Sequence, residues 1–311
     1  MKENKVVMAG AGVMGASLAQ VYALAGYDTY VYDIYEAGLE KGKHLISINQ
    51  EMMVKEGLIT AEESKAALAR MTFTLDKECF RDCCLVVEST VERMDIKQNF
   101  FAEISEIAPA EALLATNTSG LKITEIAKAC KHPERFMGQH WLNPPHLLPL
   151  CEIIAGEQTS PENVQKMRKL VEGLGKQPVV VADINGFIIN RIQFAVQREA
   201  LHIVDIGAAS IEDVDTVLKA GMGLRYAALG PFGVADFGGL DTFDHINSYL
   251  NAELDDSKVG NKRLHEMVQA GKLGVKSGQG FYDYSGDKAD EAIRERDRLY
   301  IELAKVLYFK K

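Results

Sequence analysis

Apolar positions along this chain follow two different periods, and the point where one replaces the other divides it. A short apolar run, Lys5 to Ala9, enters a glycine turn, and from Ala16 to Gly26 the apolar residues recur at helical spacing, which predicts strand, turn and helix. A second strand covers Thr29 to Tyr32. A long helix follows from about Glu36 to Lys55, with a break at Gly57, and Thr60-Ala61-Glu62-Glu63 has the form of a capping box ahead of Ala66 to Met71. Short β-prone runs then recur at Thr72 to Leu75, Leu85 to Glu88, Leu113 to Thr116, Phe136 to Gln139, Leu150 to Ala155 and Gln177 to Asp183, with helical stretches around 95 to 107 and 122 to 130. Beyond Gly186 the pattern is helical throughout: 187 to 206, 211 to 220, 240 to 252, 259 to 270 and 288 to 308. This alternation predicts an α/β domain with a doubly wound, mainly parallel sheet over residues 1–184, followed by an all-α domain over 185–311. A cleft between two such domains is a common place for a substrate.

The first turn carries chemistry. Gly10-Ala11-Gly12-Val13-Met14-Gly15 sits between a strand and a helix, the context in which a GxGxxG sequence binds a dinucleotide. Gly10 permits the tight turn, Gly12 lets the backbone approach a pyrophosphate, and Gly15 allows close helix packing while the helix N-terminus faces the anion. The second strand ends in Asp33, where a carboxylate can accept hydrogen bonds from the adenosine ribose. The following residues, Ile34, Tyr35, Glu36 and Ala37, offer no base to neutralise a 2′-phosphate, and Asp33 would repel one, so NAD is expected over NADP.

A second constellation lies in the run Gly-Gln-His-Trp-Leu-Asn-Pro-Pro-His-Leu-Leu-Pro-Leu-Cys-Glu from Gly138 to Glu152. Pro144 and Pro145 fix φ and supply no N–H, so the strand carrying His140 must stop and the chain can return with Glu152 beside it. A carboxylate on one imidazole nitrogen fixes the tautomer and frees the other nitrogen to take a hydroxyl proton. Taken alone, a structural His–Glu contact explains the pair as well. Ser119, after a β-run at the carboxyl edge of the sheet, can donate to a developing ketone oxygen or simply cap the helix from Ile123 onward.

Composition narrows the class. The chain has 311 residues, 47% of them hydrophobic, enough for more than one core, and no window approaches eighteen uninterrupted apolar residues. Met-Lys-Glu-Asn-Lys is too short and polar for a signal peptide, so a cytosolic location is expected. The five cysteines, Cys79, Cys83, Cys84, Cys130 and Cys151, lack metal-ligand spacing and read as free thiols, and no metal site is expected. A net charge of −9 without a basic stripe gives no footprint for nucleic acid or an anionic membrane.

Together these motifs resemble the L-3-hydroxyacyl-CoA dehydrogenase family, from the glycine turn to Gly278-Gln279-Gly280-Phe281-Tyr282. The resemblance rests on Gly10 to Gly15, Val87-Glu88 with Val91-Glu92, Asn117-Thr118-Ser119, His140 to Asn143, Gly186-Phe187-Ile188-Ile189-Asn190-Arg191 and Gly230-Pro231-Phe232. It implies a Rossmann-type NAD domain and a helical second domain. It also implies His140 as catalytic base, Glu152 as its partner, and Ser119 and Asn190 as hydrogen-bonding groups near the reacting oxygen. Gly10, Gly12, Val13, Met14, Gly15, Asp33, Glu92, Lys97 and Asn117 would line the NAD site. From the residues alone, Glu92 and Lys97 read equally as a solvated helix-face pair, and Trp141 and His146 as cleft walls. A homodimer is expected through apolar faces at 187 to 206 and 240 to 250.

Some residues resemble instead the branch of the family that acts on free hydroxy acids, such as gulonate, carnitine and pyridoxine-breakdown dehydrogenases. They are the run Trp141-Leu142-Asn143-Pro144-Pro145-His146, Ser119-Gly120, and Gly221 to Pro231 with Arg225. The segment from Ile46 to Glu56 offers only Lys55 to a nucleotide phosphate. Asn143 and Arg225 are therefore candidate substrate contacts, Arg225 as a carboxylate clamp or as half of an ion pair with Asp236 or Asp241. The substrate is expected to be a 3-hydroxy acid or its CoA ester. A non-catalytic NAD-binding or structural protein is the alternative from another class, and the intact Ser119, His140, Glu152 and Asn190 set speaks against it.

Overall fold

The computed structural model describes residues 2 to 308. Its strands are β1 (Lys5–Ala9), β2 (Asp28–Tyr32), β3 (Met71–Thr74), β4 (Leu85–Glu88), β5 (Leu113–Thr116), β6 (Phe136–Trp141), β7 (Leu150–Ala155) and β8 (Gln177–Ala182), joined in the order β3-β2-β1-β4-β5-β6-β7-β8. All neighbours pair parallel except β6 and β7, which are antiparallel. This is the doubly wound Rossmann-type sheet. Its order reverses between β1 and β4, which opens a crevice at the carboxyl ends of those strands.

The central strands are buried on both faces, as near-continuous apolar runs require. Successive residues separate into two cores. Val6, Met8, Leu85 and Val87 meet α1 (Val13–Leu24), α2 (Glu36–Lys55) and α6 (Pro161–Gly173), while Val7, Val86 and Leu114 meet α4 (Met94–Ile107) and α5 (Ile123–Ala127). The capping box ahead of α3 (Ala61–Ala69) forms as expected: Glu63 N donates to Thr60 Oγ1 and Thr60 N to Glu63.

By internal packing the chain divides into two compact units, one running to Asn190 and resuming at Asp297, the other covering Arg191 to Arg296. The second is helical. It holds most of α7 (Ile189–Asp205), then α8 (Ile211–Val217), a π-helical turn at Leu218–Gly223, α9 (Leu224–Gly238), α10 (Leu240–Leu250), α11 (Lys262–Gln269) and the start of α12 (Lys288–Leu307). Among the described residues, Leu201 and Val234 are the only fully buried apolar side chains of that unit. No helix among the described residues is long and apolar enough to cross a membrane.

Two helices escaped the periodicity. α6 begins with Ser160 as a cap accepting from Asn163 N and Pro161 in its first turn, a local start signal that the apolar period does not carry. α9 contains Gly230 at φ 71° before Pro231, so it is two helical pieces across a kink, and its glycines break the helical period there. The helix expected over 122 to 130 closes at Ala127, because the chain turns at Lys128 to Cys130 before Pro133.

Candidate active site

The glycine turn is shaped by close approach. Gly10 has φ 105°, and a Cβ there would stand 2.7 Å from the Ser89 carbonyl oxygen; a Cβ on Gly15 would stand 1.8 Å from the carbonyl oxygen of Gly10. Only glycine permits this packing of β1, α1 and β4. At Gly12 a Cβ would meet nothing within 4 Å, and α1 starts there without a side-chain cap, leaving its first N–H groups to an anion. Val13 is exposed and Met14 half-buried on the first turn of α1. At the end of β2, Asp33 accepts from Ala11 N at 2.9 Å and from Tyr35 N at 3.0 Å. Its carboxylate borders a cavity of about 630 Å³ lined also by Gly10, Gly12, Tyr35, Thr90 and Phe100. The cradle, the open N-terminus and the carboxylate fit a dinucleotide. Lys77 also lines this cavity but is held by Glu103 at 2.5 and 2.7 Å, a cation the inspection of residues 34 to 37 could not reveal.

Lys97 departs from the solvated reading. Its ammonium is fully buried and donates to both oxygens of buried Glu88 at 2.7 and 2.9 Å, with Glu92 at 3.6 Å. Glu88 also accepts from Thr116 Oγ1, Thr90 Oγ1 and Thr90 N, each at 2.6 Å, so one buried ion pair ties β4, β5 and α4 together. Half-exposed Glu92 accepts from Thr118 Oγ1 at 2.5 Å and Ser119 N at 2.9 Å. Asn117 accepts from Trp141 N at 3.0 Å, fastening the end of β5 to the strand of His140. Thr118, silent in the sequence reading, thereby sets the backbone around Ser119.

His140 and Glu152 are direct cross-strand partners in the β6–β7 ladder. His140 Nδ1 lies 2.8 Å from Glu152 Oε2, and both side chains are buried. The other carboxylate oxygen accepts from Ile188 N at 2.9 Å and Ile189 N at 3.0 Å, where α7 begins. Burial pushes the Glu152 carboxyl up, and the hydrogen bonds from His140, Ile189 and Ile188 outweigh it, so the group sits below the usual carboxylate range. An ionised Glu152 selects the Nδ1–H tautomer and leaves Nε2 as the basic nitrogen. Phe187, at φ 50°, sets its ring 5.3 Å from the imidazole.

Asn190 Nδ2 donates to the Ser119 carbonyl at 2.8 Å, which brings both expected oxygen-binding residues together. The capping alternative for Ser119 falls: the first amides of α5, Ile123 N and Thr124 N, donate to Asp183 at 3.1 and 2.8 Å. Asn143 is exposed on the turn after β6, ahead of a cis peptide to Pro144. Trp141 belongs to the core beside Cys151 rather than to a cleft wall, while His146, also buried, borders a cavity separate from that of the glycine turn. Arg225 lies exposed on α9 of the second unit, and no ion pair joins it to Asp236 or Asp241 among the described residues.

Residues 5–184 match the family model of the 3-hydroxyacyl-CoA dehydrogenase NAD-binding domain, and 186–284 that of its C-terminal domain. A probable 3-hydroxybutyryl-CoA dehydrogenase of Deinococcus radiodurans is 41% identical over 88% of this chain and 98% of its own length. A 5-formyl-3-hydroxy-2-methylpyridine 4-carboxylate 5-dehydrogenase of Mesorhizobium japonicum is 32% identical over 98% of both chains. A solved structure of an enzyme of that activity, an NAD⁺-dependent dismutase, superposes with TM-score 0.91 at 32% identity and covers both chains fully. That of the Ralstonia eutropha (S)-3-hydroxybutyryl-CoA dehydrogenase gives 0.75 at 33% identity, over 92% of this chain and 100% of the other.

Proposed function

Because the chain belongs to the 3-hydroxyacyl-CoA dehydrogenase family, NAD-dependent oxidoreductases of CH–OH groups, we propose that it interconverts a 3-hydroxyacyl-CoA, of the 3-hydroxybutyryl kind, and its 3-keto form. The observation that carries this reading is the buried His140–Glu152 pair, with Nδ1 committed to the carboxylate. In the oxidation, His140 Nε2 takes the hydroxyl proton, and Glu152 stabilises the imidazolium that forms. The glycine turn would hold NAD, which when bound would supply the acceptor for the hydride of substrate C3. Ser119 and Asn190 hold the reacting oxygen. Gly10, Gly12, Val13, Met14, Gly15 and Asp33 would hold the dinucleotide, with Glu92 and Asn117 on the loops after β4 and β5 and Lys97 acting through its buried ion pair with Glu88. Residues 1–184 serve as the NAD domain and the helices from 185 to Arg296 as the substrate and dimerisation domain, the rest of α12 belonging to the first unit.

We read the enzyme as a homodimer. The second unit buries two apolar side chains among the described residues while Phe232 is 86% and Phe237 83% exposed, too much apolar surface for a helical unit left to water. Its free thiols fit the reducing cytosol.

One observation favours a second reading, a free carboxylate substrate. The match to the pyridine-carboxylate dehydrogenase spans both chains, whereas the family models stop at residue 284, before α12. The experiment is NADH formation from (S)-3-hydroxybutyryl-CoA, free 3-hydroxybutyrate and the formyl-hydroxypyridine carboxylate. The CoA ester is expected to exceed each free acid in kcat/KM by about tenfold or more. If a free acid leads instead, the second reading holds. Arg225→Met is then expected to cost that acid about 2–5 kcal/mol in kcat/KM.

A further inference from the structure

Lys176 is a buried cation that the reaction does not touch. It stands at the head of β8 with 6% of its surface exposed, and its Nζ donates to the carbonyls of Pro145 at 2.8 Å, Leu148 at 3.0 Å and His146 at 3.4 Å. These carbonyls belong to the turn that joins the strand of His140 to the strand of Glu152. Leu147 N and Leu148 N both donate to Pro144 O at 3.0 Å, Gln177 N donates to Pro149 O at 2.8 Å, and Leu147 is packed with Met53 and Ile301. Taking a lysine out of water costs several kcal/mol unless its N–H groups are met. Converging carbonyl dipoles repel one another, and the ammonium at their focus offsets that repulsion.

We propose that Lys176 is a positioning residue: its ammonium clamps the 144–149 turn and so holds Asn143 and the ends of the two dyad strands in the geometry the reaction needs. The inference rests on the reading of His140 and Glu152 as the catalytic pair. The glycine turn lies on β1 and α1, outside the clamp. Loss of Lys176 therefore damages use of the hydroxy substrate while leaving dinucleotide affinity in place.

The clamp has a sign in pH. Burial pushes the Lys176 amine down to about 8, with Cys151 on β7 pulling the other way. His146 from the turn, and Lys305 and Tyr308 from the last helix, line the same cavity of about 850 Å³, to which Leu24, Met53 and Ile59 contribute apolar walls. A neutral amine has two N–H donors and a lone pair in place of three charged donors, so above about pH 8 its hold on the turn weakens. Because the folded-state value lies below the unfolded one, rising pH also relieves the cost of the buried charge. The contribution of Lys176 itself to stability and the turnover it supports therefore move in opposite directions with pH.

The test compares wild type with Lys176→Met, using (S)-3-hydroxybutyryl-CoA as substrate. The variant is expected to lose about ten- to a hundredfold in kcat/KM, with NADH affinity within about twofold. Amides of peptides covering residues 144 to 149 are expected to exchange about tenfold faster or more. In wild type, kcat/KM and the exchange protection of the 144 to 149 amides fall together above about pH 8, and this needs no variant if Lys176→Met fails to fold. Unchanged exchange in the turn, a parallel loss of NADH affinity, or a wild-type rate that falls above about pH 8 while the turn keeps its protection overturns the proposal. If wild type does not oxidise the CoA ester, the substrate reading fails, and the exchange result alone decides the role of Lys176.

Discussion

Glu152 is held from two sides, and each oxygen has a different duty. One faces two backbone donors, Ile188 N and Ile189 N, and the other faces the imidazole. Glu152→Gln must keep its carbonyl oxygen on the two amides, so its NH₂ turns to His140 Nδ1. The imidazole then carries its proton on Nε2, where a base needs a lone pair. The variant is expected to lose about 10²–10⁴ in kcat, as large an effect as loss of the base itself. Stability carries its own sign. The Glu152 carboxyl lies below its usual range, so its contribution is complete above the unfolded value near 4 and is lost as pH falls through the lower folded value. Acid unfolding of wild type is expected to steepen below about pH 4 and to be shallower in the Gln variant; equal acid limbs would contradict the ionised carboxylate. Asp33 is comparably committed, to Ala11 N and Tyr35 N, yet it borders the dinucleotide cavity. Asp33→Ala is expected to weaken NADH by about 1.5–3 kcal/mol and narrow the preference over NADPH. Equal loss for both cofactors would make the carboxylate purely a brace of the turn. The His–Glu pairing was legible because Pro144 and Pro145 force a reversal between two apolar runs. The donors from Ile188 and Ile189 and the ammonium of Lys176 were not, since local pattern carries no trace of partners brought close by packing alone.

At the scale of elements, the sequence reading succeeded where one period dominates and a start signal is local. β1, α1, the capping box of α3 and the antiparallel return to β7 all have that character. It failed where helix and loop chemistry mix, as at Gly230-Pro231 in α9. It also misjudged a charge: Lys97, at helical spacing with acids around it, looks solvated, yet its partner Glu88 comes from the end of a buried strand. Lys97→Met leaves Glu88 buried without its cation and is expected to destabilise the first unit by about 3–5 kcal/mol in urea unfolding. The double variant Lys97→Met with Glu88→Leu is expected to recover part of that loss. A single variant within about 0.5 kcal/mol of wild type would mean that the pair does not hold β4 to α4.

For the whole molecule, the exposed apolar surface of the second unit argues for a second copy. Light scattering at micromolar concentration is expected to give a particle of twice the 34.3 kDa chain, and a monomer would remove the dimer from the account. Fold class and cofactor were readable from the sequence because the glycine turn and the change of period are local signals; the state of assembly depends on surface that becomes visible only once the helices are placed. All of this serves one claim, that His140 is the base for oxidation of a 3-hydroxy substrate by NAD. The most direct measurement is NADH formation from (S)-3-hydroxybutyryl-CoA by wild type and His140→Gln, with NADH affinity measured on both. The variant is expected to turn over about 10²–10⁴ times more slowly while binding NADH within a few-fold of wild type. Turnover near the wild-type rate, with NADH bound equally well, would contradict it.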